Sequence, residues 1–148
     1  MSGLLHNHVL IAALIAWQLA QLLKIPFHFW RTQKIEWRLY FRPGGMPSSH
    51  SALMISTSLG IALFHGFDNP LFALSVAISM IVLYDAAGVR RQAGMHAQKI
   101  NLIIEELLQG HPISQEQLKE VLGHSPLEVV GGTILGIVVP LVYWLLVR

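Results

Sequence analysis

Two short stretches of the sequence place a histidine where it could act on a phosphoryl group. Residues 47–50 read Pro-Ser-Ser-His, follow two glycines and open an apolar run; residues 124–128 read His-Ser-Pro-Leu-Glu and open another. A carboxylate that accepts a hydrogen bond from one imidazole nitrogen leaves the other nitrogen more basic, so Glu128 is predicted to orient His124. One histidine could then attack phosphorus while His50 protonates the departing oxygen.

The first stretch also predicts an anion site. The first backbone N–H groups of a helix have no partner within the helix, and the helix dipole adds partial positive charge there. Ser48, Ser49 and His50 are predicted to present such groups, and Gly45 lets the preceding loop approach a ligand closely. The alternative is that His50 and His124 are ordinary capping or interfacial residues.

The composition indicates an integral membrane protein. Of the 148 residues, 53% are hydrophobic and 12% are charged, about half the charged share of a typical soluble domain. The chain has no cysteine, which excludes disulfides and thiolate chemistry. Its basic residues lie at the ends of apolar runs, so nucleic acid is not expected as a partner. The histidines have no metal-ligand spacing, so neither a metal nor another cofactor is expected.

Four apolar segments predict an all-α membrane bundle that forms a single domain over residues 1–148. Each segment is close to the roughly 20 residues that cross a bilayer as a helix. The segments are residues 8–23, 48–65, 71–89 and 126–147. The turn sequence at residues 66–70, Gly-Phe-Asp-Asn-Pro, predicts that the second and third segments form an antiparallel hairpin.

The polar connection between the third and fourth segments predicts a short interfacial helical hairpin. Ile100, Ile103 and Ile104 fall on one face of a first helix, and residues 110–123 carry the capping signals of a second. The alternative is that the apolar face packs within the bundle.

Charge distribution predicts the orientation. Nine of the ten Lys and Arg residues fall on the side of the two long connections, which the positive-inside rule makes cytoplasmic. The same side receives all the polar residues that suggest chemistry. These are Ser48, Ser49 and His50; Asp85 with Arg90 and Arg91; His124 and Glu128; and Lys34, Arg38 and Arg42.

Small residues four apart recur along three of the segments. The pairs are Ser56 and Gly60, Ala73 and Ala77, and Gly132 and Gly136. Such spacing lets helices approach closely, either within one bundle or between two copies in a homodimer. The sequence alone does not distinguish the two.

Three stretches resemble a known superfamily. GGMPSSHSA, DAAGVRRQAG and LGHSPLEVVGG, about a quarter of the chain, resemble the type-2 phosphatidic acid phosphatases and the related vanadium-dependent haloperoxidases. The resemblance is closest to their small, divergent membrane branch of bacteria and plants. It implies a bacterial inner membrane or a plastid-type membrane as the location.

The resemblance also implies an activity. It would be a metal-independent phosphatase that acts on a membrane lipid phosphate or diphosphate through a phosphohistidine. His124 would be the nucleophile, Glu128 would orient it, and His50 would be the general acid. Ser48, Ser49 and the basic residues Lys34, Arg38 and Arg42 would hold the phosphoryl oxygens.

The sequence departs from the superfamily pattern in two motifs. In the first, Ile35 and not lysine stands seven residues before Arg42, and Lys34 is one position off. No Ser-Arg pair precedes His124, because Gln117 and Leu118 stand there. Our hypothesis is that Arg90 or Arg91, beside Asp85, supplies the missing cation. The alternative class is a non-catalytic membrane protein that binds or transports lipid phosphates through the same pocket.

Overall fold

The computed structural model describes residues 6–41, 44–85, 90–107 and 125–148, which form five α-helices and one 3₁₀ helix without any strand. The α-helices are α1 (His8–Thr32), α2 (Ser49–His65), α3 (Pro70–Tyr84), α4 (Arg90–Leu107) and α5 (Pro126–Val147). The 3₁₀ helix spans Trp37–Tyr40, between α1 and α2. The predicted all-α class is confirmed.

Two of the four predicted spans are long and apolar enough to cross a membrane, as judged by length and composition. These are α1 and α5. α2 has 17 residues and α3 has 15. At the α-helical rise, these lengths correspond to about 25 Å and about 22 Å, less than the roughly 30 Å of a bilayer core. Four membrane-crossing helices are therefore not confirmed, and residues 86–89 of the third predicted segment lie outside the described residues.

The turn between α2 and α3 forms where the sequence predicts it. Gly66 follows α2 with a φ of 95°, a conformation that glycine adopts without steric cost. The Asn69 side chain accepts a hydrogen bond from the Leu71 amide at 2.9 Å and so caps α3, whose first residue is Pro70. The two helices pack against each other, which confirms the predicted hairpin.

α2 is the central helix of the bundle and packs against α1, α3 and α5. α1 presents a face of small buried residues to the bundle, including Ala13, Ala16 and Ala20. On α2, a Cβ atom at Gly60 would lie 3.3 Å from the Val9 side chain of α1. Small residues therefore allow these two helices to approach closely.

The α2–α5 contact depends on two glycines. A Cβ atom at Gly132 would overlap the carbonyl oxygen of Ser48, and one at Gly136 would lie 2.8 Å from the Cβ of Ile55. The pair Gly132 and Gly136 is therefore used for packing within one chain. Ser56 and Gly60 are buried on α2 as well, whereas Ala73 and Ala77 lie on the exposed side of α3.

Serine side chains join α2 to α3. The hydroxyls of Ser58 and Ser79 are 3.0 Å apart, and Ser79 Oγ also lies 3.3 Å from the carbonyl oxygen of Met54. Ser75 and Ser79 are the buried residues of α3. The polar side of α3 thus faces the bundle, while its apolar side chains face outward, the arrangement expected where the surroundings are lipid.

Ring contacts define one end of the bundle. His8 Nδ1 lies 3.0 Å from the hydroxyl of Tyr143, and the His8 ring stacks on Phe64 with centroids 5.1 Å apart. The start of α1 thus meets the ends of α2 and α5. It follows that α1 runs antiparallel to α2 and α5, and that α2 and α5 start together at the opposite end.

The segment after α1 folds back along that helix. α1 ends at Thr32, and Gln33 takes a left-handed conformation with φ of 57°. The Gln18 side-chain amide donates a hydrogen bond to the Tyr40 hydroxyl at 2.5 Å. Because Gln18 is near the middle of α1, the 3₁₀ helix lies beside α1 rather than beyond its end.

α4 is the first helix of the predicted interfacial hairpin. Ile100, Ile103 and Ile104 are exposed along it, and it packs only sparsely on the other described helices. The second predicted helix, residues 110–123, lies outside the described residues.

Candidate phosphate site

The start of α2 is held by a buried pair of serines. Ser48 precedes the helix, and its hydroxyl accepts hydrogen bonds from the Ser51 amide at 3.3 Å and from the Ser51 hydroxyl at 3.0 Å. Both side chains are fully buried. Ser48 is therefore the N-cap of the helix that carries His50, and its hydroxyl serves the helix itself.

One backbone hydrogen bond joins the two predicted motifs. The Ser48 amide donates to the carbonyl oxygen of Glu128 at 2.9 Å. The starts of α2 and α5 are thereby fixed side by side, as the sequence predicts for the two histidine motifs. The same bond means that the Ser48 amide is used within the protein, whereas the sequence suggested that it was open to a ligand. Ser49 is buried and His50 is partly buried.

Glu128 stabilises the start of α5. The Ser125 hydroxyl accepts from the Glu128 amide at 3.4 Å, and Glu128 Oε2 accepts from the Ser125 amide at 3.1 Å, which together form a capping box. α5 begins at Pro126, and His124 lies outside the described residues. The predicted pairing of Glu128 with His124 therefore stays a prediction.

Lys24 is one of the nine basic residues predicted on the cytoplasmic side, and the sequence assigned it no role. Only 2% of its surface is exposed. Its side-chain stem passes beside Gly45, because a Cβ atom at Gly45 would lie 3.7 Å from Lys24 Cγ and Cδ. The carboxylate of Glu128 only partly offsets the cost of burying the Lys24 ammonium group. A buried charge is costly unless it is paired, which makes this lysine a candidate for function.

A signal for Lys24 was present in the sequence. The buried residues of α1 include Ala13, Ala16, Ala20 and Lys24, spaced three or four apart and hence on one helical face. That face is made of small residues, which mark a helix–helix contact in a membrane bundle. Continuing the stripe by one turn places Lys24 inside.

An open cavity of about 310 Å³ lies between the end of α1 and the loop before α2. This is the lower end of the size range of small-ligand sites. Lys24, Glu128 and Gly45 line it, and the exposed Arg31 and partly exposed His28 add two further basic side chains. The apolar part of the lining is formed by Phe27, Trp30, Leu39 and Met46.

Gly45 lies in the loop that forms one wall of this cavity. The φ angle of Gly45 is 87° and that of Gly44 is 88°, and both values favour glycine over residues with a side chain. The backbone therefore bends next to Lys24 before it enters α2. The sequence predicted Gly45 as a close-approach position, and the close approach in the structure is to the lysine stem.

The other predicted phosphate-binding residues are spread around this end. Lys34 and Arg38 are exposed, and neither lines the cavity. Arg90 and Arg91 open α4, and only their backbone is described. Asp85 directly follows α3 and is partly buried, and Arg42 lies outside the described residues. The described residues thus bring together Ser48, Ser49, His50, Gly45 and Glu128, with Lys24 added.

The arrangement suits an anion more than a metal ion. Lys24, Arg31 and two adjacent helix starts contribute positive charge, against the one carboxylate of Glu128 in the described lining. Groups of this kind, in a partly enclosed cavity, bind phosphate well.

The comparisons with known proteins identify the family of the chain. The profile described as the divergent PAP2 family matches residues 5–139, and the chain belongs to that family. The chain is 41% identical over 150 residues to a Bacillus subtilis (strain 168) protein named "Uncharacterized membrane protein YuiD", covering 94% of this chain and 95% of that protein. No solved structure matches the chain. The resemblance seen in the three motif stretches is confirmed.

Proposed function

We propose that the protein is a membrane-embedded, metal-independent phosphatase that acts on a lipid phosphate or diphosphate. The observation that carries the proposal is the hydrogen bond from the Ser48 amide to the Glu128 carbonyl oxygen, at 2.9 Å. It places the helix start that bears His50 against the helix start that directly follows His124. Membership of the divergent PAP2 family and the membrane protein relative support the same class of function.

The proposed reaction has two steps. In the first, an imidazole nitrogen of His124 forms a bond to phosphorus, the bond from phosphorus to the leaving oxygen breaks, and His50 donates a proton to that oxygen. In the second, water attacks the phosphohistidine and gives up a proton to His50, which releases phosphate and restores both histidines. No metal takes part in either step.

The remaining groups stabilise the charge that the phosphoryl oxygens carry in the transition state. Ser49 and the start of α2 contribute through the helix dipole. Lys34, Arg38, Arg42, Arg90 and Arg91 are the basic residues proposed for the same purpose, all from the connections at this end. The apolar lining of the cavity, including Phe27 and Trp30, suits the part of a lipid next to its phosphate.

The alternative function is binding or transport of lipid phosphates without catalysis. The observation that favours it is the use of Ser48, whose amide and hydroxyl are both taken by contacts within the protein. Fewer groups are then left to hold a transition state, while the charge of the cavity still suits a phosphate.

Phosphate release from purified protein distinguishes the two functions. The full chain is assayed in detergent with a chelator present, on phosphatidate, phosphatidylglycerophosphate and polyprenyl diphosphate. We expect release from at least one lipid, loss of that release in His124→Ala and in His50→Ala, and inhibition by orthovanadate, which mimics five-coordinate phosphorus.

The matched control is His96→Ala, because His96 is exposed on α4 and has no proposed role. It should leave the rate unchanged. Binding of the lipids without any release would support the alternative instead. Turnover that survives His124→Ala would overturn the assigned nucleophile.

A further inference from the structure

Lys24 is a buried charged residue of the cavity wall that the proposed reaction does not use, and it shares that wall with Glu128. Lys24 is 2% exposed, on the first helix, and Glu128 is partly buried, on the last. Both line the same cavity, so the carboxylate lies within electrostatic reach of the ammonium group. Each also has a further interaction within the protein.

A buried ion pair by itself contributes little stability. The cost of taking two charges out of water is comparable to their mutual attraction, so apolar residues of similar size often serve a fold as well. Lys24 also lies in the wall of a cavity wide enough for a phosphate group, whereas a pair that only joins two helices needs no such space. The position of the lysine therefore suits contact with a second anion in that cavity.

We infer that Lys24 is the fixed cation of the phosphate site, and that Glu128 is the anion nearest to it until a phosphate monoester arrives. A phosphate monoester carries up to two negative charges and three acceptor oxygens, against one charge for the carboxylate. It therefore competes with Glu128 for the lysine. Gly45 is part of the arrangement, because its lack of a side chain lets the loop pass close to the lysine stem.

This inference deepens the proposed function, because it names the group that selects the substrate's phosphate. It also states what limits affinity. Glu128 is a competing anion inside the site, so removing its charge should strengthen phosphate binding, whereas removing the charge of Lys24 should weaken it. If the two residues had only a structural role, removing either charge would change stability in the same direction, and neither change would alter phosphate affinity.

The test measures inorganic phosphate binding to the full chain in detergent, from the rise in melting temperature with phosphate at constant ionic strength. Lys24→Met should weaken phosphate binding by about tenfold or more, the scale expected for losing a hydrogen bond to a charged group. Lys24→Arg should retain most of the affinity. Glu128→Gln should bind phosphate more tightly than the unmodified protein.

Two further variants keep the test decisive. If Lys24→Met fails to fold, the double variant Lys24→Met with Glu128→Gln removes both charges and should fold and bind phosphate weakly. Lys99→Met is the control, since Lys99 is exposed on α4. It should leave the affinity unchanged.

The outcomes separate this inference from the proposed function. Equal phosphate affinity in Glu128→Gln and in the double variant, which differ only at Lys24, would overturn the role of Lys24, whatever the turnover. Weaker phosphate binding by Glu128→Gln than by the unmodified protein would overturn the inferred competition between Glu128 and phosphate. Phosphate binding that follows Lys24, with no lipid turned over, would support the inference and contradict the phosphatase.

Discussion

At the scale of single residues, Ser48 shows how tightly the start of α2 is fixed. Its amide, its hydroxyl and its carbonyl oxygen all make contacts within the protein: with Glu128, with Ser51 and with the Ala52 amide. The residue has no exposed surface. Its main effect on chemistry is therefore to place His50, two residues later, at a defined position relative to α5.

Replacing Ser48 by alanine should reduce both stability and activity. The variant loses the cap of α2, which typically stabilises a protein by about 1 kcal/mol, and the hydrogen bond to Ser51. The matched control is Asn69→Ala, which removes the cap of α3 at the opposite end of the bundle. Thermal unfolding should show similar losses for both, while phosphate release falls only in Ser48→Ala. Equal release in the two variants would contradict the positioning role.

Lys24 shows what the sequence could not supply at this scale. Hydropathy separates lysine from the apolar run before it, so the first predicted span stops at residue 23. The helix itself continues to Thr32, because helix formation depends on the backbone and not on the apolar run alone. Glu128, which lines the same cavity as Lys24, lies about a hundred residues away in the chain, and such proximity is not visible in local sequence.

At the scale of helices, the α2–α5 contact positions the two motifs. Gly131 and Gly132 are adjacent on α5, but their surroundings differ. A Cβ atom at Gly131 would meet the flexible end of Met46 at 3.3 Å, whereas one at Gly132 would overlap the backbone of Ser48. The first neighbour can move, and the second is fixed by its hydrogen bonds.

The two glycines should therefore respond differently to alanine. Gly132→Ala must push α5 away from α2 and is expected to destabilise the protein by about 1–3 kcal/mol, the usual cost of overpacking, and to abolish most phosphate release. Gly131→Ala should have a small effect on both. Thermal unfolding and the lipid assay on the two variants provide the measurement, and equal behaviour of the pair would show that the contact is looser than described.

The segment that folds back along α1 is the second element that shapes the cavity. It contributes Leu39 to the lining, and the Gln18–Tyr40 hydrogen bond holds it. Tyr40→Phe should loosen it, since one such bond contributes about 0.5–1.5 kcal/mol. Hydrogen exchange over residues 34–41 should quicken, and the KM for a lipid phosphate should rise more than kcat falls. Tyr84→Phe, at an exposed position at the end of α3, is the control and should change neither.

The sequence predicted helix positions better than helix lengths. Residues 126–147 match α5 in full, because the apolar run begins and ends with the helix. The turn at Gly66 was found from the turn sequence at residues 66–70. By contrast, the spacing of small residues could not say which pairs pack within the chain, since that depends on which helix each face meets.

At the scale of the whole molecule, the two ends of the bundle differ in character. One end is closed by the rings of His8, Phe64 and Tyr143. The other carries the cavity, Lys24 and the two joined helix starts. About 24 Å of α1, from His8 to Lys24, separates them. The charge distribution predicts that the end with the cavity faces the cytoplasm.

Cysteine labelling can test this orientation, because the chain has no cysteine of its own. Phe67 is exposed in the turn between α2 and α3, and Glu36 is exposed near the cavity. In intact bacterial cells, a maleimide reagent that cannot cross membranes should label Phe67→Cys and not Glu36→Cys. Both should react after the cells are opened. The reverse pattern in intact cells would place the cavity outside.

The length of α1 has a consequence for how molecules enter and leave. The helix continues for eight residues beyond Lys24, so the backbone of Lys24 lies about 12 Å along the axis from the end of the helix. Under the proposed function, a lipid phosphate would reach Lys24 sideways from its own leaflet, with its acyl chains still in the bilayer. Released inorganic phosphate has no acyl chains to hold it in the bilayer, so it would leave directly into the water at this end of the bundle. Reactant and products would thus travel by different routes, and soluble phosphate esters, which lack the lateral route, would be poor substrates.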